Sequence, residues 1–211
     1  MLELETTHHV YSVSECAEFE NKMNRLFTNS FQRAVESLSQ LLTREMLITK
    51  IRIGRTQGDL YINQLEGLIE ENHFSSLIKV HSYLDTFILL ILPKEEGEQL
   101  YHILNGRNQA DRFPDQDEVI DSIGELNNIV GLTFVNALAN TLGKAINASV
   151  PENTFDLLGA VLESVVLQKE LINRDIVRAE AEITDVQDPD FNVRLVILSE
   201  QTRLMEVLSH R

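Results

Sequence analysis

The segment Asp115–Pro151, DQDEVIDSIGELNNIVGLTFVNALANTLGKAINASVP, decides the fold of this chain. Apolar residues recur three and four positions apart and no proline interrupts them, which predicts one long amphipathic helix followed by a strand. Asp115 with Glu118 three residues later is the pattern of an N-terminal capping box, and Gly143 is the expected stop. The sequence therefore predicts a helix over residues 116–142, about 40 Å long at 1.5 Å per residue.

The polar residues of this helix fall on one face. Asp121, Glu125 and Asn128 lie within about 60° of one another, opposite an apolar stripe that buries. That stripe comprises Ile120, Ile123, Leu126, Val130, Phe134 and Ala137. An exposed carboxylate and carboxamide can take a partner's cation and hold a water molecule, whereas the ordinary alternative is a solvated face. No Lys or Arg occurs between Arg112 and Lys144, so this face carries charge of one sign.

The spacing of these residues favours a functional face. Asp121, three residues, Glu125, two residues, Asn128, twenty-two residues and Pro151 follow one another in that order. This is the signature of the CheC/CheX/FliY family of chemotaxis phosphatases: Asp or Ser, x3, Glu, x2, Asn, x22, Pro. The chain resembles that family strongly over residues 115–151 and, by the order of its elements, over about 15–211.

The resemblance implies a function and a role for each residue. The expected substrate is a phosphorylated receiver domain similar to CheY, which supplies its own Mg²⁺, so that no cofactor is bound by this chain. Asn128 is expected to position the attacking water, and Glu125 to pair with the receiver's active-site lysine. Asp121 would support that anchoring, and Pro151 would have a structural role at the strand end.

A second function stays open at this point. The chain could keep the fold as a non-catalytic interaction module that binds a receiver or a CheD-like partner. The presence of both Glu125 and Asn128 favours the phosphatase. No flagellar-switch segment follows Arg211, which favours a free-standing regulator over a motor component resembling FliY.

Composition and charge exclude several classes of protein. Eighteen Lys and Arg against 33 Asp and Glu give a net charge of −15, which argues against nucleic acid or an anionic membrane as partner. The single cysteine, Cys16, and the lack of a signal peptide predict a soluble cytoplasmic protein. The scattered histidines His73, His81, His102 and His210 predict no metal site, and no nucleotide-binding or acyl-transfer motif is present.

The same order of elements occurs twice in the sequence. In the first half we predict a helix from Ser12 to about Leu42, strands at 46–53, 75–84 and 86–92, a turn at Gly58–Asp59 and helices at 61–71 and 95–104. A polar linker follows at 106–114. In the second half we predict, after the long helix, strands at 145–150, 175–184 and 191–198 and helices at 157–167 and 201–208.

This repeat predicts the fold class. We expect an α/β (α+β) chain with a pseudo-twofold repeat of α-β-α-β-β-α, spanning about 13–105 and 115–211 within a single domain, 1–211. A continuous, largely antiparallel sheet would carry two long helices on one side, parallel to each other and exposed on their far faces. The segment Phe87–Leu92 would be either a paired central strand or an exposed edge, so a homodimer stays open.

The first half lacks the signature at the equivalent positions. At an offset of 100 residues these positions hold Asn21, Arg25, Thr28 and Ile51, so the charge is reversed and the carboxamide is lost. Another register, Ser14, Glu18 and Asn21, matches the front of the signature, but the proline position is occupied by Arg44. We interpret that match as the polar start of a helix, with a second working site as the alternative.

Overall fold

The computed structural model describes residues 13–63, 70–81, 84–106, 113–168 and 171–209. Its helices and strands follow the predicted order closely. In chain order they are α1 (Val13–Leu42), β1 (Met46–Gln57), α2 (Gly58–Asn63), β2 (Asn72–His81), β3 (Thr86–Pro93), α3 (Lys94–Leu104), α4 (Gln116–Leu142), β4 (Asn147–Ala148), β5 (Glu152–Leu157), α5 (Leu158–Gln168), a 3₁₀ turn (Leu171–Asn173), β6 (Asp175–Asp185), β7 (Asn192–Glu200) and α6 (Gln201–Ser209).

The strands form one antiparallel sheet. Its order is β1-β6-β7-β3-β2-β5, and the short β4 pairs with the same side of β2 as β5 does. Strand β3 pairs with β2 on one side and β7 on the other, so Phe87–Leu92 is a central strand rather than an edge. The predicted α+β class and the largely antiparallel sheet are confirmed.

The sheet shows the predicted internal symmetry. Reading outward from its centre, β3, β2 and β5 on one side correspond to β7, β6 and β1 on the other. Positions of α1 and α4 that are 100 residues apart are buried in both helices. Leu38 with Leu138 and Leu42 with Leu142 are examples. Both halves contribute to the same large apolar core.

The direction of the two long helices differs from the prediction. They lie side by side, but they run antiparallel rather than parallel. The Thr133 hydroxyl donates to the Ser37 Oγ at 3.3 Å, while Asn29 and Thr141 line the same groove nearer the other end of the pair. The sheet explains this direction. The pseudo-twofold axis that relates the two halves exchanges β3 and β7, which are antiparallel, so it also relates α1 to α4 with their directions reversed.

Each face of the sheet carries its own apolar core. Helices α1 and α4, with α3 and α6, pack on one face, and the Phe134 ring lies 5.3 Å from Phe31 and 6.4 Å from Phe27. Helices α2 and α5 pack on the opposite face. There the buried Tyr61 hydroxyl donates to Glu180 at 2.8 Å, and burial together with this carboxylate raises the pKa of Tyr61 well above its ordinary value.

Several predicted boundaries are wrong. Gly58 and Asp59 begin α2 instead of forming a turn, and Glu70 and Glu71 are not helical. The predicted strand 145–150 shrinks to Asn147–Ala148.

A strand that the sequence analysis missed, β5, follows Pro151. Its sequence ENTFDL has no buried residue at strand spacing because it lies at the sheet edge, so the alternation that marks a strand is absent. Ser12 and residues 107–112 of the predicted linker lie outside the described residues.

Within the described ranges, none of the helices combines the length and the apolar character needed to cross a membrane.

Candidate functional site

Helix α4 forms as the sequence predicts, over Gln116–Leu142. A capping box closes its start, since Asp115 caps the backbone of Glu118 and the Asp115 N–H donates to the Glu118 Oε2 at 2.9 Å. The Tyr101 hydroxyl of α3 also donates to the Glu118 Oε1, at 3.2 Å, and ties this end to the core. Gly143 ends the helix in the left-handed conformation, with φ of 60°.

The three polar residues of the signature lie on the exposed face of this helix. Asp121, Glu125 and Asn128 are all exposed, whereas the opposite face is largely buried, with Ile120 and Ala137 of the predicted stripe half-buried. Because an α-helix rises 1.5 Å per residue, Glu125 and Asn128 are offset by about 4.5 Å along its axis. One rigid element therefore presents a carboxylate and a carboxamide to the same approaching surface.

This face is acidic. Asp117, Asp121 and Glu125 stand on it, and no Lys or Arg occurs from residue 113 to 143. Among the described residues, no cationic side chain forms an ion pair with Asp121 or Glu125. Their charge is therefore available to a cation on a partner.

Beneath this face lies a polar network that the sequence analysis missed; Ser76 and Asn127 in it are buried, and Asn153 is exposed at the sheet edge. Asn127, fully buried next to the exposed Asn128, donates through Nδ2 to the Ser76 carbonyl at 2.8 Å and to the Ser76 Oγ at 3.0 Å. The Ser76 hydroxyl in turn donates to the Asn153 Oδ1 at 2.7 Å. The signal was present in the sequence, because Asn127 precedes Val130 and Phe134 at helical spacing on the buried stripe.

Pro151 separates the two short strands at the sheet edge. Before it, the Ser149 N–H donates to the Lys79 carbonyl at 2.8 Å. After it, Glu152 pairs with Lys79 at 2.6 Å, and Asn153 reaches back under α4. The chain therefore continues past Pro151 in the same direction along β2, from β4 to β5, and β5 supports the start of the exposed face of α4.

Comparison with known proteins identifies the architecture. No protein-family model and no curated protein matches the sequence. Among solved structures, FliY from Thermotoga maritima superposes with a TM-score of 0.68 at 13% identity, covering 95% of this chain and 97% of that chain. A CheC-like chemotactic protein from Shewanella oneidensis MR-1 gives a TM-score of 0.55 at 14% identity, covering 84% and 99%. CheX from Borrelia burgdorferi, in a CheX–CheY–BeF3–Mg²⁺ complex, gives 0.51 at 17% identity, covering 84% and 96%.

The chain has the CheC/CheX/FliY fold.

Within this CheC/CheX/FliY fold, the first half presents a different surface. Arg25 and Thr28 are exposed on α1 at the positions of Glu125 and Asn128, and Asn21 is exposed at that of Asp121. Ile51, at the position of Pro151, lies within the edge strand β1. The fold is therefore repeated, but the carboxylate and carboxamide pair is not.

The second sequence match in α1 has structural partners. Glu18 pairs with Lys22 at 2.8 Å, and Asn21 is exposed. Arg44, which stands where the signature has proline, pairs with the buried Asp185 at 2.7 Å. The Ser14 side chain lies outside the described residues. This geometry favours the interpretation of Ser14, Glu18 and Asn21 as the polar start of a helix.

Within the described part of the chain, no group of three or more His, Cys, Asp or Glu side chains is placed to hold an ion. An open polar groove of about 580 Å³ runs between α1 and α4, lined among others by Asn29 and Glu36 of α1 and by Thr133 and Thr141 of α4. Neither Glu125 nor Asn128 lines this groove.

Proposed function

We propose that this chain is a phosphatase that removes the phosphoryl group from the phosphoaspartate of a CheY-like receiver. The observation that carries the proposal is the placement of Glu125 and Asn128 on one exposed face of an unbroken helix. The complete spacing to Pro151 supports it. So does the similarity of the fold to CheX, which has been solved together with CheY.

The chemistry requires little from the phosphatase itself. Water attacks the phosphorus in line, the bond to the aspartate oxygen breaks, and the carboxylate leaves while the water loses a proton to the phosphate product or solvent. The receiver's own Mg²⁺ neutralises charge on the phosphoryl oxygens. Asn128 contributes position: its amide oxygen accepts a hydrogen bond from the water, and its amide nitrogen donates to a phosphoryl oxygen. Holding the water on the attack line lowers the entropic part of the barrier.

Glu125 provides the anchor for docking in this proposal. Its free carboxylate pairs with the receiver's active-site lysine, and Asp121, one turn earlier, adds to the same negative surface. An extended acidic face also accelerates the encounter with a basic partner surface, in a salt-dependent way. Because Glu125 and Asn128 lie at a fixed offset along α4, docking through Glu125 brings the Asn128 carboxamide to the phosphoryl group.

The second candidate is a non-catalytic module that holds a receiver or a CheD-like protein. One observation favours it: the first half keeps the helix and its burial pattern while Arg25 and Thr28 replace the signature pair. This surface is therefore able to change while the fold is kept. The two candidates differ in turnover, which only the phosphatase shows.

The test is the loss of phosphoaspartate from a CheY-like receiver, with this protein substoichiometric. We expect many turnovers per molecule for the wild type. Asn128→Ala should lose about 100-fold in kcat, because a displaced water costs that much. It should retain affinity for the receiver carrying BeF3⁻ and Mg²⁺. Glu125→Ala should weaken that affinity about tenfold.

Matched controls come from the symmetric helix. Thr28→Ala and Arg25→Ala change exposed residues at the equivalent positions of α1 and should leave both turnover and affinity near wild type. If the wild-type protein binds the phosphorylated receiver but only protects its phosphoryl group, the interaction module is the correct function.

A further inference from the structure

Asn127 is a fully buried polar residue next to the proposed site. Its two amide hydrogens are both donated to Ser76. No donor among the described residues reaches its Oδ1. Burying a polar group with an unsatisfied acceptor destabilises a fold, so a stable core alone does not account for an asparagine here.

The symmetric half of the molecule shows the apolar solution to the same packing position. Phe27 occupies the place of Asn127 on α1, is 1% exposed and stacks with Phe134. An apolar side chain therefore satisfies this position where no signature residue stands beside it. The asparagine occurs in the half that carries Glu125 and Asn128.

The network connects the site helix to both strands below it. Asn127 bonds to Ser76 on β2, Ser76 bonds to Asn153 on β5, and the Asn153 side chain lies against Gly124 of α4. Glu125 and Asn128 are each adjacent in sequence to one of the helical residues in this arrangement, Gly124 and Asn127. Rotation or sliding of this helical segment would therefore break hydrogen bonds in the network.

We infer that Asn127, with Ser76 and Asn153, is a positioning residue that fixes the rotation of α4 and so aims the Asn128 carboxamide at the attacking water. This inference rests on the proposed function. Asn153 reaches the network from the second residue of β5, two residues after Pro151. The network touches no reacting atom and acts only through the helix.

Two variants disrupt the network to different extents while keeping the packing; in Ser76→Ala the bond from Asn127 to the backbone carbonyl of residue 76 remains. Asn127→Leu replaces the amide by an apolar side chain of similar size, and Ser76→Ala removes the hydroxyl that joins the two asparagines. Leu138→Ala is the matched control, because it weakens the buried face of the same helix eleven residues further on without touching the network. Thermal unfolding is used to check that each variant is fully folded.

Three measurements separate positioning from stability. We expect kcat for receiver dephosphorylation to fall about ten- to a hundred-fold in Asn127→Leu and Ser76→Ala, with KM within about twofold of wild type. Leu138→Ala should lower the melting temperature and leave kcat unchanged. Hydrogen exchange of residues 124–128 should accelerate in the two network variants at temperatures where exchange of residues 134–138 does not change.

The outcomes distinguish the inference from the function on which it rests. If the wild type turns over phosphoreceiver and both network variants keep its kcat, the positioning role is wrong and the phosphatase stands. If exchange at residues 124–128 is unaffected, the network does not hold the helix and the inference fails regardless of activity. If the wild type shows no turnover, the phosphatase proposal fails, and with it the catalytic purpose of the network.

Discussion

Gly124 of α4 packs directly against Asn153 of the edge strand β5. A Cβ at this position would lie against the Asn153 amide, 2.9 Å from its Cγ and 3.1 Å from its Oδ1. Gly124→Ala therefore forces Asn153 to move, and its hydrogen bond from Ser76 breaks. The substitution tests whether the contact between this helix and this strand matters for activity more than for stability.

The magnitude follows from opposing contributions. Losing the Ser76–Asn153 hydrogen bond costs about 1 kcal/mol, and residual crowding adds a similar amount at most, because the Asn153 side chain is exposed and free to turn outward. Replacing glycine by alanine within a helix stabilises the folded state by about 1 kcal/mol. We therefore expect Gly124→Ala to be destabilised by no more than about 1 kcal/mol, while kcat for receiver dephosphorylation falls about tenfold.

The assay combines urea unfolding with turnover of a phosphorylated receiver. Gly54→Ala is the control, because a Cβ there meets no atom within 4 Å and should change neither quantity beyond a small effect on β1. If Gly124→Ala lowers the free energy of unfolding by more than about 3 kcal/mol, the Asn153 side chain does not turn outward and the expected magnitude is wrong. An unchanged kcat with the expected stability would show that the position of this helical segment does not control catalysis.

Two further predictions concern the scaffold. Phe134→Ala removes a fully buried ring that contacts two aromatic side chains of α1, so we expect a loss of about 3–5 kcal/mol, seen as a melting temperature lower by about 6–20 °C; a loss under 1 kcal/mol would contradict this packing. Burial opposes ionisation of Asp185, but hydrogen bonds from the Gln187 N–H and from Arg44 outweigh it and lower the pKa of the carboxyl below 3.8. The resulting stabilisation is present in full above the unfolded pKa and is lost as pH falls through the lowered folded value, so Arg44→Ala should unfold in acid at a higher pH than wild type. Identical acid transitions would contradict the ion pair's role.

Local residue patterns predicted the site helix correctly. The capping box at Asp115, the stop at Gly143 and the buried stripe through Leu126 and Phe134 all follow from neighbours a few residues apart, and α4 forms within those bounds. The same patterns predicted that Glu125 and Asn128 would lie on the exposed face. Their roles in catalysis stay predictions, because the fold alone does not test chemistry.

The sequence also determined the repeated order of elements, since each helix and most strands carry their own periodicity. Only the tertiary structure decided how the pieces meet: α1 and α4 run antiparallel, the edge strand β5 follows Pro151, and Asn127 reaches Ser76, 51 residues earlier in the chain. The physical reason is range. Capping and amphipathic periodicity act within a few residues, whereas helix direction, edge pairing and a buried hydrogen-bond network depend on groups that become neighbours only when the chain has folded.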